Sequence, residues 1–188
     1  AAPSEQQLAV TGQTYHDLKT MCQREGITLN VAAQFAWHKL VQSYSAEQET
    51  VVGTTVSGRD LPVDGIDASV GLYINTLPLL VDWSDSSISI RELLQTIQQD
   101  VAALNSFSAV SLAGLQTEGE RLFHSLFVFE NYPKPQEDEE HMRSASSDVA
   151  GSLAQDLALR TVVEKVDYPL SVMVYEEGES LVLKLSHG

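Results

Sequence analysis

Cysteine is nearly absent from this chain of 188 residues: Cys22 stands alone, with no partner for an internal disulfide. A small core stapled by disulfides is excluded, and a reducing, cytoplasmic setting is the simplest reading. Cys22 falls in a helical stripe, where a thiol serves as a small hydrophobe rather than as a nucleophile. Basic residues are scarce as well. The 11 Lys and Arg against 26 Asp and Glu leave a net charge of −15, which argues against nucleic acid as a partner because phosphate binding needs a basic face. The same charge disfavours an anionic membrane surface. No apolar run is long enough to span a bilayer, and no signal-peptide pattern opens the chain at Ala1. The histidines, His16, His38, His124, His141 and His187, fall at none of the spacings that hold a metal. Ser57-Gly58 is not a G-x-S-x-G elbow, and no G-x-x-x-x-G-K phosphate cradle occurs. The residues that would make this chain a self-contained hydrolase, metalloenzyme or nucleotide-binding protein are missing.

What remains is enough for a folded body. An apolar fraction of 43% fits one ordinary domain, or one lobe of a larger enzyme. Ala1 to Ser4 reads as a frayed end and Gln7 to Val10 as a short strand. Thr11 to Glu25 reads as a helix capped by Thr11, lined by Tyr15, Leu18, Met21 and Cys22 and stopped at Gly26. Asn30 to Tyr44 reads as a second helix with its stripe at Ala33, Ala36, Trp37, Leu40, Val41 and Tyr44, which leaves His38 on the polar side as a surface histidine. Ser89-x-x-Glu92 is a capping box, and Ile90, Leu93, Leu94, Ile97, Val101 and Leu104 repeat behind it at helical steps. A shorter helical piece is expected at Val110 to Leu115.

Leu122 to Glu130 suits a strand buried on both faces, with His124 a core histidine inside it, and Pro133 ends it. Lys134 to Gly151 is polar, with an acid run at Glu137 to Glu140, and reads as a loop or long arm. Leu157 to Val166 reads as a strand, and Leu170 to Tyr175 with Leu181 to Leu185 as a hairpin across Glu177-Gly178. Helices alternating with strands in this way predict an α/β (α+β) fold, helices packed on a mixed β-sheet. No helix follows the last strand before Gly188, which suggests a truncated unit.

The chain is organised around Thr50 to Asp82, where two strand-like runs, Val51 to Val56 and Leu72 to Val81, flank a loop rich in Asp, Gly and Pro. Asp60, Asp64 and Asp67 in that loop resemble a calcium loop but lack its full spacing and closing Glu, so a solvated loop is the better reading. The second run carries Asn75 and Thr76 in an otherwise apolar strand. Buried polar groups need partners there, since an unpaired one costs about 1–3 kcal/mol, and a ligand-facing wall would supply them.

Five stretches carry a resemblance that covers nearly the whole chain. They are Gly26 to Leu40 (GITLNVAAQFAWHKL), Val51 to Arg59 (VVGTTVSGR), Val70 to Leu79 (VGLYINTLPL), Leu126 to Pro133 (LFVFENYP) and Tyr168 to Val174 (YPLSVMV). In this order they resemble the C-terminal lobe of a nonribosomal peptide synthetase condensation domain, the third being similar to the family's I-G-x-F-x-N-T-x-P-L motif. The resemblance implies one lobe of a two-lobed, chloramphenicol-acetyltransferase-like fold, occupying residues 1–188. It implies a tunnel between lobes that admits the phosphopantetheine arms of two carrier proteins, with no cofactor bound directly. There the amino group of one thioester-bound substrate attacks the other's carbonyl to make a peptide bond. The family's H-H-x-x-x-D-G motif belongs to the N-terminal lobe and is absent from this sequence. No catalytic residue is therefore expected here, and the chain alone is expected to be inactive.

The resemblance also implies site residues. Asn75, with Thr76, matches the tunnel wall, and Ser57, Gly58 and Arg59 match the loop that floors it. Each has another reading: Asn75 as a strand-end amide satisfied by backbone, Arg59 as an ion-pair partner for the loop's Asp residues. Leu80 stands where the family often has Arg, so a basic group acting on substrate at that spot is not supported. Residues 134–167 fall where the family sends a latch to the other lobe, and such an arm should be mobile without it. Epimerisation domains share the fold but differ at the equivalent of Ile74-Asn75-Thr76. The implied partners are the missing lobe, peptidyl or acyl carrier proteins and an adjacent adenylation domain. A carrier-docking module without chemistry, and another acyltransferase of the same fold, stay open beside this reading.

Overall fold

The computed structural model describes residues 4–57, 74–107, 121–130 and 168–188. In chain order these hold β1 (Ser4–Thr11), α1 (Gly12–Glu25), α2 (Leu29–Ser45), β2 (Glu49–Ser57), β3 (Ile74–Asp82), α3 (Ile90–Ser106), β4 (Ser125–Glu130), β5 (Leu170–Glu177) and β6 (Ser180–His187). The strands make one six-stranded sheet ordered β1-β6-β5-β4-β2-β3. β2, β4 and β5 run parallel at its centre, while β3, β6 and β1 add antiparallel to the flanks. The expected mixed sheet and the β5–β6 hairpin are both present. The pieces expected at Val110 to Leu115, at Leu157 to Val166 and in the arm at 134–167 lie outside the described residues, as does the Asp60–Asp67 loop.

Local chemistry fixes the helix ends. α1 stops at Gly26, which takes a left-handed conformation (φ 67°) while Ile27 N–H returns to Cys22 O at 3.0 Å. The expected Thr11 cap sits at the N-terminus, but its side chain makes no capping bond. Thr28 does cap α2, its hydroxyl accepting Val31 N–H at 3.2 Å. α3 opens on a complete capping box: Ser89 Oγ accepts Glu92 N–H, and Glu92 Oε2 accepts Ser89 N–H at 2.9 Å.

All three helices pack on one face of the sheet. Tyr15, Ala33 and Trp37 meet Val52, Phe127, Val172, Val174 and Leu181, while Cys22, Ile27 and Val31 meet Leu79, Val81 and the Leu93, Leu94, Ile97 stripe of α3. The stripe expected on α2 is partly wrong. Ala36, Leu40 and Tyr44 are exposed, and the buried positions are Val31, Ala32, Ala33, Gln34, Trp37 and His38. The N-terminal half of α2 is held between sheet, α1 and α3 and so buries most of its circumference, while its last turns project past that packing.

On the opposite face, Leu126 and Val128 of β4 are buried beside Tyr168. Phe123 is also buried and lies against Gly53 of β2, where any Cβ would overlap its ring. Gly53 is thus a site of close approach rather than of special backbone angle. β4 is buried on both faces as expected, but it starts at Ser125. His124 precedes it as an exposed residue and is not a core histidine.

Candidate functional site

β2, β4 and β5 are parallel, so their C-terminal ends lie at one end of the sheet. β2 ends there at Ser57, and β3 begins there, its register setting Ser57 against Ile74, Val56 against Asn75 and Thr55 against Thr76. The antiparallel register therefore brings Ser57, Asn75 and Thr76, predicted from the sequence as one site, to a single end of one strand pair. Gly58 and Arg59 follow Ser57 directly and lie outside the described residues. Open α/β sheets bind ligands outside the carboxyl ends of their parallel strands.

Asn75 and Thr76 do not share a face. Asn75 pairs with Val56, in line with Leu77, Leu79 and Val81 on the helix side, whereas Thr76 pairs with Thr55 on the other side. Both are half-buried. Asn75 Oδ1 accepts the Thr76 N–H at 2.8 Å, a bond that covers a backbone donor on a strand at the sheet's edge. An amide also carries two N–H donors, so this contact does not exhaust its hydrogen-bonding capacity.

Sequence reasoning missed a second polar feature, one layer behind β2. Gln34 and His38 sit one turn apart on α2, each fully buried, and face Thr54 and Thr50 of β2. Gln34 Nε2 donates to Thr54 Oγ1. His38 Nδ1 lies 2.8 Å from Thr50 Oγ1, which also accepts Trp83 Nε1–H at 2.9 Å. With that N–H accepted, the Thr50 hydroxyl keeps its own proton and a second lone pair, so it can meet His38 Nδ1 either as donor or as acceptor. Beside them Trp37 Nε1–H donates to Ser125 Oγ at 2.8 Å, tying α2 to β4. Burial pushes the His38 pKa down to about 4, since an imidazolium there would lose its hydration without gaining an anion. His38 is thus a core residue, not the expected surface one. The signal was present: Gln34 and His38 are four residues apart in phase with the apolar residues of α2, and Thr50 and Thr54 share one face of β2.

The remaining titratable contacts are scaffolding. Tyr15 donates to Glu176 Oε1 at 2.6 Å and Lys19 Nζ reaches the same oxygen at 3.0 Å, fastening α1 to the end of β5. That hydrogen bond to Glu176 raises the Lys19 pKa, and burial first, then Glu176, raises that of Tyr15. Cys22 is buried and burial pushes its thiol up, away from the thiolate, as its reading as a small hydrophobe requires. Among the described residues no three His, Cys, Asp or Glu side chains converge as a metal site, and no helix is long and apolar enough to cross a membrane.

Comparison with known proteins gives this arrangement a family. The condensation domain family model matches residues 1–187. N-(5-amino-5-carboxypentanoyl)-L-cysteinyl-D-valine synthase of Amycolatopsis lactamdurans is 43% identical over 176 residues, which is 89% of this chain and 4% of that protein. A component of the linear gramicidin synthase of Brevibacillus parabrevis is 32% identical over 97% of this chain, again a small part (2%) of a much longer protein. Among solved structures, the first condensation domain of the CDA synthetase shares the fold with a TM-score of 0.67 at 13% identity, covering 100% of this chain and 40% of that one. The condensation domain from the Monacolin K polyketide synthase MokA gives 0.68 at 14% identity, covering 98% of this chain and 42% of that one. The chain thus spans about two-fifths of the solved condensation domains it matches. With a family model that runs its length and peptide synthetases among its relatives, the chain belongs to the condensation domains of nonribosomal peptide synthetases.

Proposed function

We propose that this chain supplies one wall of a reaction channel in which a peptide bond forms between two carrier-bound thioesters. The acceptor's α-amino nitrogen attacks the donor's thioester carbonyl. The C–N bond forms, the C–S bond breaks, the donor's phosphopantetheine leaves as a thiol, and the nitrogen gives up one proton. Ser57, Gly58, Arg59, Asn75 and Thr76 border the channel on this side. The H-H-x-x-x-D-G motif, which this sequence lacks, sits on the facing lobe and handles that proton. Carrier proteins bring both substrates, and an adenylation domain of the same synthetase activates the acceptor, in the cytoplasm.

The observation that carries this reading is the β2–β3 register. It gathers motif residues separated by a 16-residue stretch (58–73) to the carboxyl end of the parallel strands. The described side chains at this end, the Asn75 amide and the Thr76 hydroxyl, are neutral hydrogen-bonding groups. Such groups can hold a pantetheine amide or a thioester in place without reacting with it.

The test uses the whole condensation domain with both carrier proteins loaded. Asn75→Ala should slow amide formation at least tenfold, a change of about 1.4 kcal/mol in the barrier, while the domain stays folded. Unchanged turnover would remove Asn75 from the channel.

A further inference from the structure

Three buried side-chain atoms that have no hydrogen-bond partner among the described residues lie on one row of α2, at Asn30 Oδ1, Gln34 Oε1 and His38 Nε2. They recur every four residues, so they stack along one face of the helix. Buried polar atoms are almost always satisfied, and leaving one orphaned costs about 1–3 kcal/mol. Two fully buried orphans one turn apart would weaken the core by twice that amount unless something bridges them.

We propose that a single ordered water molecule occupies the seam between α2 and β2, bonded to both His38 Nε2 and Gln34 Oε1. The chemistry of the two atoms is complementary. Thr50 Oγ1 accepts Trp83 Nε1–H and lies against His38 Nδ1; in the proposed arrangement Thr50 gives its own proton to Nδ1, and the other imidazole nitrogen carries hydrogen. His38 Nε2–H then donates to the water, and the water donates one of its protons to Gln34 Oε1. The assignment survives rotation of the Gln34 amide. If the group that meets Thr54 were the carbonyl, the outward atom would be an N–H2, and the water would accept from it instead. A direct bond between the two side chains would satisfy both atoms without water, but neither has the other as a partner.

The water would complete a clamp. His38 and Gln34 already hold Thr50 and Thr54, at two points along the strand that ends in Ser57. A bridge between them makes the two attachments one network, which fixes β2 against α2 over a full helical turn.

The test takes the intact condensation domain that contains this chain. A high-resolution crystal structure should show one water within about 2.7–3.2 Å of both His38 Nε2 and Gln34 Oε1. Nitrogen-15 spectra at neutral pH should show His38 as the neutral Nε2–H tautomer. A dry seam, direct contact between the two side chains, or the Nδ1–H tautomer would overturn the proposal. Variants give an independent reading: Gln34→Leu and His38→Phe should each lower the melting temperature, and the double variant should lose less than the sum of the two. Strictly additive losses would count against the bridge, and should either variant fail to fold, the native-state measurements decide alone.

Discussion

His38 makes stability depend on pH in a window of its own. Folding holds its pKa at about 4, against 6.5 for an unhindered imidazole. Between those values the unfolded chain binds a proton that the folded chain refuses, so stability rises with pH there and falls as acid is added. At pH 7 the folded side chain is neutral and only about a quarter of the unfolded state is protonated, so the contribution there is small. Lowering the pH to about 4.5 protonates nearly all of the unfolded state and about a quarter of the folded state, a loss of about 2.5 kcal/mol. Below about pH 4 both states are charged and the contribution levels off.

Carboxylates with lowered pKa act elsewhere. The Arg24 and Arg91 contacts of Glu25 and the capping bonds of Glu92 lower groups whose ordinary value is already 4.5, so their stability is lost only as the pH falls through and below that value. The assay is urea unfolding of the condensation domain in steps from about pH 7.5 to pH 4.5, beside His38→Phe, which keeps the ring and removes the titration. Wild type should lose about 2–3 kcal/mol across that range that the variant keeps. Equal slopes in the two proteins would show that His38 is solvated or paired with an anion, and would refute the burial argument.

Two substitutions probe the scaffold around the site. Gly53→Ala should destabilise by about 1–3 kcal/mol, because the new methyl displaces the buried Phe123 ring from its stack on Tyr168, 5.2 Å away; differential scanning calorimetry measures it. Ala46 ends α2 in a left-handed conformation (φ 58°), so Ala46→Gly should raise stability by about 0.5–1 kcal/mol in the same measurement.

The most legible parts of the sequence were those with local causes. The capping box and the three- and four-residue spacing of Leu93, Leu94 and Ile97 determine α3 without reference to anything distant. The two runs around the Asp-rich loop, and the Asn75-Thr76 pair inside one of them, marked the β2–β3 strands and the end at which the candidate residues lie. What was not legible depends on long-range packing. Leu40 and Tyr44 look like core from their size, but they lie beyond the point where α1 and α3 cover α2. His38 looks like surface from its type, yet Thr50 and Trp83, 12 and 45 positions away, make its burial tolerable. Gly53 reads as an ordinary strand glycine until Phe123 is seen lying across it. The face each of Asn75 and Thr76 takes follows from register, and a one-residue slip would exchange them.

The central claim is that this chain is a wall and not the whole machine. The direct measurement is amide-product formation from two loaded carrier proteins, by mass spectrometry, with the isolated chain and with the full condensation domain in parallel. The account predicts product from the full domain and none from the chain by itself. Product from the chain alone would contradict it.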